Sequence, residues 1–332
     1  MLTTPHDEPE MTREEFEMIR DYLHEKAGMY FAENKLYLVK NRLVKRMAEL
    51  SIKTYRDYFY HVKYDTSMKE FHQLMNVMTT NETSFFRNEP QLLSFSDEVI
   101  PLIMAAKEKN KQARKLRVWS AGCSTGEEPY TLAMLMLDRF ATKPGWSAEI
   151  IANDISEDVL RAARRGEYSG LTLRNVSSSM LDRYYTRAGD SYRVKPEVKA
   201  LVKFACLNLN DQRMSSMNRD FDVIFCRNVM IYFSDEVKKR IVRGFFNSLN
   251  PGGYFYIGHS ETLHGISKAF KLVYFKNALV YQKEANGASA VSSGHTASGA
   301  SVLTRAAAGA PTGASRAIDL LSKIKPMTTK KR

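Results

Sequence analysis

The sequence predicts an α/β protein in which a small all-α domain precedes a Rossmann-like domain. That domain has a mostly parallel sheet with an antiparallel edge hairpin. Residues 116–130 have the pattern of a strand, a turn with two glycines and the start of a buried helix. Strand and helix patterns then alternate as far as residue 284, which is typical of a parallel sheet. Before Leu116 the apolar residues recur at helical spacing, without a strand pattern.

The composition indicates a cytoplasmic protein with a well-formed core. The chain has 332 residues, of which 44% are hydrophobic, enough for two domains or for one large domain with an extension. No apolar run approaches the roughly 20 residues that a membrane helix needs, and the polar, acidic N-terminus is not a secretory signal. The three cysteines suit a reducing compartment, and their spacing does not suit a metal site. We expect Cys206 and Cys226 to be small buried residues.

The positive charge is concentrated at the C-terminus. The formal net charge is +12, and residues 285–332 supply half of it through seven basic residues and one acid. The preceding chain is only mildly basic, which weakens an argument for nucleic-acid binding. Because this tail is rich in Ala, Gly and Ser, we expect it to be disordered apart from a short helix near residues 317–324.

Four helices are predicted before residue 80. Thr12 and Glu15 fit a capping box at the start of the first helix. The second helix, residues 34–50, combines an apolar side with a basic group of residues: Lys40, Arg42, Lys45 and Arg46. This basic group is either an ordinary solvated face or a docking face for an acidic partner. The third helix follows residue 54, and the fourth covers residues 69–78.

Two features suggest a ligand site at the carboxyl edge of the sheet. Gly122 and Gly126 form a Gly-x-x-x-Gly turn, which is neither the dinucleotide pattern nor a phosphate-binding loop. The second strand, residues 148–154, ends in Asp154, and an acid at that position suits the two hydroxyls of a ribose. Ser156 then suits the N-cap of the next helix.

The remaining elements follow from their local patterns. Residues 91–107 predict a helix that kinks or restarts at Pro101. Residues 167–200 are irregular and predict an inserted β subdomain with a small hairpin. Later strands are predicted at residues 201–209, 221–226 and 254–258, a turn at residues 250–253, and the edge hairpin at residues 271–282.

Five segments together resemble the chemotaxis receptor glutamate methyltransferases, the CheR family of class I S-adenosylmethionine-dependent methyltransferases. They are NETSFFR at 81–87, WSAGCSTGEEPY at 119–130, ANDI at 152–155, FCRNVMIYF at 225–233 and GHSE at 258–261. The resemblance covers residues 12–284 in order, and the run at 225–233 is highly specific.

The resemblance implies a division of the chain. Residues 12–80 would be a substrate-docking all-α domain, and residues 81–115 a linker and helix that contribute to the cofactor pocket. Residues 116–284 would be the S-adenosylmethionine-binding methyltransferase domain, with the insert at about 167–200. The tail would begin at residue 285.

The resemblance also implies the site residues. The residues expected to bind the cofactor are Asn81, Thr83, Arg87, Gly122, Glu128, Asp154, Asn208, Leu209, Arg227 and Asn228. Among these, Asp154 would hold the ribose, and Asn208 and Leu209 would flank the adenine. Arg87 and Tyr232 would lie nearest the reacting carboxylate and serve as the catalytic residues.

The implied reaction is methylation of glutamate side chains on chemoreceptors in chemotaxis adaptation, with S-adenosylhomocysteine as product and without a metal. The partner would be the cytoplasmic helical bundle of a receptor, docked on Lys40, Arg42, Lys45 and Arg46. We expect a monomer that neither inserts into membranes nor binds specific nucleic acid. Some family members hold a receptor peptide on a longer glycine-containing loop of the insert. Here the corresponding turn, at residues 188–192, is short, which argues against that contact.

Two alternatives remain open. One is a methyltransferase that acts on nucleic acid or on another acidic protein. Against nucleic acid, the fourth strand is followed by Cys-Arg-Asn instead of the Asn/Asp-Pro-Pro-aromatic run used on base amines. The other is a non-catalytic cofactor-sensing or adaptor module that holds receptors through the α domain.

Overall fold

The computed structural model describes residues 9–79, 82–214 and 219–285. The expectations for Asn81 and for the C-terminal tail, including its short helix, therefore lie outside the described residues, apart from Ala285.

Four helices near the N-terminus pack around a core of their own. They are α1 (Arg13–Ala27), α2 (Leu36–Glu49), α3 (Tyr55–Tyr64) and α4 (Lys69–Met78). The predicted capping box is confirmed: the Thr12 hydroxyl accepts from the Glu15 amide, and the Glu15 carboxylate accepts from the Thr12 amide. Apolar residues at helical spacing, among them Phe16, Leu43 and Tyr55, are fully buried in this core.

The described part of the second region contains a seven-stranded sheet in the order β6-β2-β1-β7-β8-β10-β9. Its strands are β1 (Lys115–Ala121), β2 (Ser147–Asp154), β6 (Val202–Cys206), β7 (Phe221–Cys226), β8 (Leu249–Ile257), β9 (Lys271–Tyr274) and β10 (Leu279–Gln282). The first five are parallel, whereas β9 and β10 form the antiparallel edge hairpin. The strand order reverses beside β1, and ligands bind at such a switch point in open α/β sheets. The predicted fold class is confirmed.

Helices pack on both sides of this sheet, in two separate cores that contain residues of α7 (Glu127–Phe140) and of α11 (Asp235–Ser248) respectively. The other helices described in this region are α5 (Glu89–Leu93), α6 (Ile100–Lys109), α8 (Glu157–Arg165), α9 (Ser178–Tyr184) and α10 (Pro196–Lys199). A π-helical turn, Ser94–Val99, joins α5 to α6. Pro101 is the second residue of α6 and directly follows this π-helical turn. Val99 and Ile100 keep right-handed helical backbone angles, so the chain stays helical through the proline and changes its hydrogen-bond register just before it. The expected restart is therefore only a change of register within one continuous helical run.

The insert forms a three-stranded antiparallel sheet in the order β3-β5-β4. The strands are β3 (Glu167–Tyr168), β4 (Tyr185–Ala188) and β5 (Ser191–Val194). The turn between β4 and β5 is short, with Gly189 at a φ of +62°. The predicted hairpin is present, and β3 is a third strand that the sequence pattern did not indicate.

Two local expectations are wrong. Cys206 is exposed, because β6 is an edge strand whose last residue meets solvent, whereas Cys226 on the central strand β7 is buried as expected. Residues 250–253, expected to be a turn, lie within β8 at a bulge in its pairing with β7. None of the helices in the described residues is long and apolar enough to span a membrane.

Candidate active site

The glycine turn after β1 forms the floor of a cavity at the carboxyl edge of the sheet. Gly122 has a φ of +76°, and its amide donates to the Asn153 carbonyl at 2.7 Å. A β-carbon at Gly122 would lie 2.4 Å from Cγ2 of Val229, which follows β7. Glycine is required here because the turn and the loop after β7 approach closely.

Asp154 ends the neighbouring strand β2 beside this floor. Its Oδ2 accepts from the Ser124 amide at 2.9 Å, and its Oδ1 accepts from the Ser156 amide at 3.0 Å. Burial raises the pKa of this carboxyl, and the amide hydrogen bonds oppose the increase. Each oxygen retains lone-pair capacity for a further donor. Ser156 is the N-cap of α8, as predicted.

A buried ion pair joins α7 to the loop after β7. Glu128 accepts from the Ser120 hydroxyl at 2.8 Å and from the Arg227 guanidinium at 3.1 Å. The Arg227 side chain is only 5% exposed, and it also donates to the Arg87 carbonyl at 2.7 Å. Arg227 therefore connects the acid in the cavity wall to the segment that covers the cavity.

That covering segment, residues 82–88, is named the lid here. The Phe85 amide donates to the Thr172 carbonyl of the insert at 3.0 Å, and the buried Phe85 ring packs edge-on against Tyr168. The Phe86 amide donates to the Thr131 hydroxyl of α7 at 3.2 Å. Arg87 is exposed and donates one hydrogen bond, to the Glu82 carbonyl at 2.9 Å. The insert and α7 thus fix the lid, while the Arg87 guanidinium remains at the rim of the cavity.

The cavity measures about 410 Å³, within the usual size range of small-molecule sites. The structure brings together these sequence-predicted residues in its wall: Thr83, Arg87, Gly122, Glu128, Asp154, Asn208, Leu209, Arg227, Asn228 and Tyr232. Two buried polar atoms in the wall, Oγ of Ser84 and Nε of Arg227, have no partner among the described residues. Such unpaired groups are costly unless a ligand or water satisfies them.

The N-terminal helices contribute to this wall, which the sequence did not indicate. Ala27 and Met29 line the cavity. Asn208 donates its side-chain amide to the Lys26 carbonyl at the end of α1 at 2.7 Å, and the Tyr30 amide donates to the Tyr232 carbonyl at 2.8 Å. The α-helical region therefore closes one side of the cavity. Gly28, with a φ of +72°, signals the end of α1 in the sequence, but nothing local indicates these long-range contacts.

Glu261 supports the wall from behind, and the sequence indicated no role for it. Its carboxylate accepts from the backbone amides of Asn228 and Gly258, behind the cavity wall. The GHSE motif was the available signal, although the motif alone does not say what the acid contacts.

The basic residues of α2 are largely engaged within the fold. Lys40 pairs with Glu10 at 2.7 Å, and Arg42 donates to the Met78 carbonyl. Arg46 forms a two-bond ion pair with buried Glu70 at 3.0 and 2.6 Å, where Glu70 also accepts from the Tyr58 hydroxyl. Lys45 is exposed. The proposed docking role stays a prediction, and Lys45 is the member of the set best placed to serve it.

No cluster of three or more His, Cys, Asp or Glu side chains suited to a metal ion occurs within residues 9–79, 82–214 and 219–285.

A glycine turn and an acid-ended second strand at the switch point of a mostly parallel sheet define the class: a Rossmann-like domain with a cavity of the kind that binds nucleoside-containing ligands. Two family models match the chain: the all-alpha domain of the CheR methyltransferases over residues 14–79, and their SAM binding domain over residues 81–279. The chain therefore belongs to the CheR methyltransferase family, which confirms the resemblance.

Named relatives agree with this assignment. Chemotaxis protein methyltransferase 2 of Vibrio cholerae is 35% identical over 280 residues, which cover 84% of this chain and 96% of that protein. Chemotaxis protein methyltransferase Cher2 of Pseudomonas putida is 35% identical and covers 81% and 97% respectively. The chemotaxis protein methyltransferase of Escherichia coli is 36% identical and covers 77% and 87%. The match thus spans both the helical and the Rossmann-like regions.

Proposed function

We propose that this protein transfers a methyl group to glutamate side chains on the cytoplasmic helical bundle of a chemoreceptor, forming methyl esters. Membership of a family of chemotaxis methyltransferases supports a chemoreceptor substrate, and the residues of the cavity wall support methyl transfer to a carboxylate. The protein would act in the cytoplasm, as a monomer.

The observation that carries this proposal is the composition of the cavity wall. Within the described residues, the wall has Arg87 at its rim and Tyr232 nearby, but no histidine or lysine. An alcohol or amine nucleophile needs a base to accept its proton. A glutamate carboxyl has an ordinary pKa of about 4.3 and is already ionised at neutral pH.

The acids of the wall are engaged: Glu128 pairs with Arg227, Asp154 accepts from two backbone amides, and Glu82 lies 3.9 Å from the Arg174 guanidinium. A wall with no histidine or lysine and with its acids engaged in this way favours a carboxylate nucleophile, which needs no base.

The wall residues also suit S-adenosylmethionine, which supplies an electrophilic sulfonium methyl group when bound. Asp154 would hold the two ribose hydroxyls with the lone pairs that its amide partners leave unused. Glu128 would face the cationic amino group, and buried Leu209 would pack on the adenine. The unpaired groups of Ser84 and Arg227 are further available partners. Asn208 would contribute mainly through its backbone, because its side-chain amide already donates to Lys26.

Arg87 and Tyr232 would orient the substrate carboxylate. A guanidinium at the rim can form two parallel hydrogen bonds to a carboxylate, and a tyrosine hydroxyl can donate one more. Their task is to keep one carboxylate oxygen in line with the methyl group. Too many donors would slow the reaction, because the carboxylate loses charge in the transition state and strong donors stabilise the reactant more.

The proposed test is transfer of radiolabelled methyl from S-adenosylmethionine to a purified receptor cytoplasmic fragment. The expected product releases its label as methanol in mild base, since an ester hydrolyses there and an N-methyl group does not. Binding of cofactor and receptor without transfer would instead identify an adaptor, and base-stable label would contradict carboxyl methylation.

A matched pair of variants tests the role of Arg87. We expect Arg87→Ala to lower methyl transfer at least tenfold. Arg219→Ala removes an exposed arginine just before β7, at the other end of the sheet, and should leave transfer unchanged. Equal rates for the two variants would exclude Arg87 from substrate positioning.

A further inference from the structure

The carboxylate of Glu261 joins the ends of two central strands. Glu261 lies three residues after Gly258, which follows β8. Its Oε2 accepts from the Asn228 amide at 2.9 Å and from the Gly258 amide at 2.6 Å. The Glu261 amide in turn donates to the Gly258 carbonyl at 2.9 Å, which closes the turn. Amide hydrogen bonds to an ionised carboxylate are stronger than those between neutral groups.

The space around Gly258 shows how closely the two strand ends and the Glu261 carboxylate approach each other. A β-carbon there would lie 2.7 Å from the Glu261 Oε2 atom and 3.1 Å from both the backbone nitrogen and Nδ2 of Asn228. Only glycine leaves room for the carboxylate between the two strand ends.

Asn228 holds an unusual backbone conformation at this junction. Its φ is +60°, in the left-handed region that is strained for most residues, although asparagine tolerates it better. Asn228 lines the cavity, the next residue Val229 packs against Gly122, and Tyr232 follows one turn later. The conformation at Asn228 thus sets how the chain leaves β7 and presents these side chains.

We infer that Glu261 is a positioning residue of the cofactor site, which acts through the backbone of Asn228. Glu261 is not among the residues that line the cavity in the described chain. Its carboxylate stabilises the left-handed turn and thereby fixes the loop that carries Asn228, Val229 and Tyr232. This inference rests on the proposed function, because it takes the cavity to be the S-adenosylmethionine site.

A double-mutant cycle tests the inference, with calorimetric binding of S-adenosylhomocysteine to the full chain as the measurement. Glu261→Ala removes both hydrogen bonds, and we expect binding to weaken about tenfold through the loss of the one from the Asn228 amide to a charged group. In the Asn228→Gly background the same substitution should change affinity less than about twofold, because glycine adopts the left-handed conformation without strain. Equal losses in both backgrounds, or an unchanged affinity for folded Glu261→Ala, would overturn the inference.

Glu261→Gln provides a second cycle if the alanine variant does not fold. Its carboxamide oxygen still accepts from the amides but without charge, so we expect a loss of about threefold that again disappears with Asn228→Gly. A purely structural acid would lower the unfolding temperature in both backgrounds and leave the affinity of the folded protein unchanged. Failure of the wild-type protein to bind S-adenosylhomocysteine would overturn the site assignment itself, whereas wild-type binding with an additive cycle overturns only the role of Glu261.

Discussion

Replacing Gly122 by alanine tests whether the close approach of two loops shapes the cofactor site. The substitution adds a β-carbon at a φ of +76° and places it 2.4 Å from Cγ2 of Val229. Gly189 offers a matched control, because its φ is +62° and a β-carbon there meets nothing within 4 Å. The two alanine variants therefore share the backbone strain and differ in the steric overlap.

The magnitudes follow from these two terms. Left-handed strain costs about 1–2 kcal/mol at either glycine. Overpacking at Gly122 adds about 1–3 kcal/mol, and it pushes on the loop that carries Asn228 and Tyr232. If the whole overpacking energy is lost from the binding free energy, Gly122→Ala weakens the affinity for S-adenosylhomocysteine about 5- to 150-fold. Gly189→Ala should lower the unfolding temperature modestly and leave the affinity unchanged.

Isothermal titration calorimetry and thermal unfolding of both variants provide the measurement. An equal loss of affinity in the two variants would show that strain alone, and not the contact with Val229, accounts for the effect. Normal affinity in a folded Gly122→Ala variant would refute the close-approach argument.

Three further predictions concern charged residues. Asp154→Asn should weaken cofactor binding tenfold or more. The new side chain would turn its NH₂ group toward one of the two backbone amides from which the carboxylate accepts hydrogen bonds. Near-normal affinity in calorimetry would exclude the ribose role. If ionised Asp154 holds the ribose hydroxyls, affinity should fall with decreasing pH before the ordinary range of an aspartate is reached, because burial raises the pKa of this carboxyl. Titrations showing no loss of affinity above that range would contradict this. Lys45→Glu should lower receptor methylation in a salt-sensitive way and leave the unfolding temperature unchanged. Arg46→Glu should also destabilise the protein by about 3–5 kcal/mol, because it leaves Glu70 buried without its cation. Unchanged methylation by Lys45→Glu would argue against docking on α2.

The elements nearest the site could be predicted because local patterns determine them. The strand, the glycine turn and the helix after it follow one another in the chain, and Asp154 lies directly at the end of the second strand, in which Ile150 and Ala152 are buried. Parallel strands place their carboxyl ends at one edge of the sheet, so the order of elements was sufficient to predict that Gly122 and Asp154 lie close together. The lid and the loop after β7 were predicted to belong to the site only because their motifs resemble those of the family.

The contacts that the sequence did not indicate are long-range and backbone-mediated. Asn208 donates to the carbonyl of Lys26, and Glu261 accepts from the amide of Asn228. A carbonyl or an amide carries no residue-specific pattern, so neither partner could be identified from spacing. This is why the N-terminal helices were expected to dock substrate but not to close the cofactor cavity.

The basic face of α2 shows a second limit of prediction from sequence, which concerns the partners of charged side chains. The apolar side that helical periodicity predicts for this helix does lie in the core, where Leu43 and Met47 are buried. It does not show that Arg46 reaches across to a buried acid on α4, which turns a predicted docking residue into part of an internal ion pair. Exposure of a charged side chain depends on its partners from other helices as well as on its own position.

Methyl transfer to two receptor fragments that differ at one position tests the central claim most directly. One fragment carries a glutamate at a methylation site and the other a glutamine there, so they differ only in the nucleophile. With S-adenosylmethionine present, mass spectrometry should find the glutamate converted to its methyl ester and the glutamine unchanged. Methylation of both fragments at other positions, or of neither while cofactor and receptor bind, would contradict carboxylate methylation at this site.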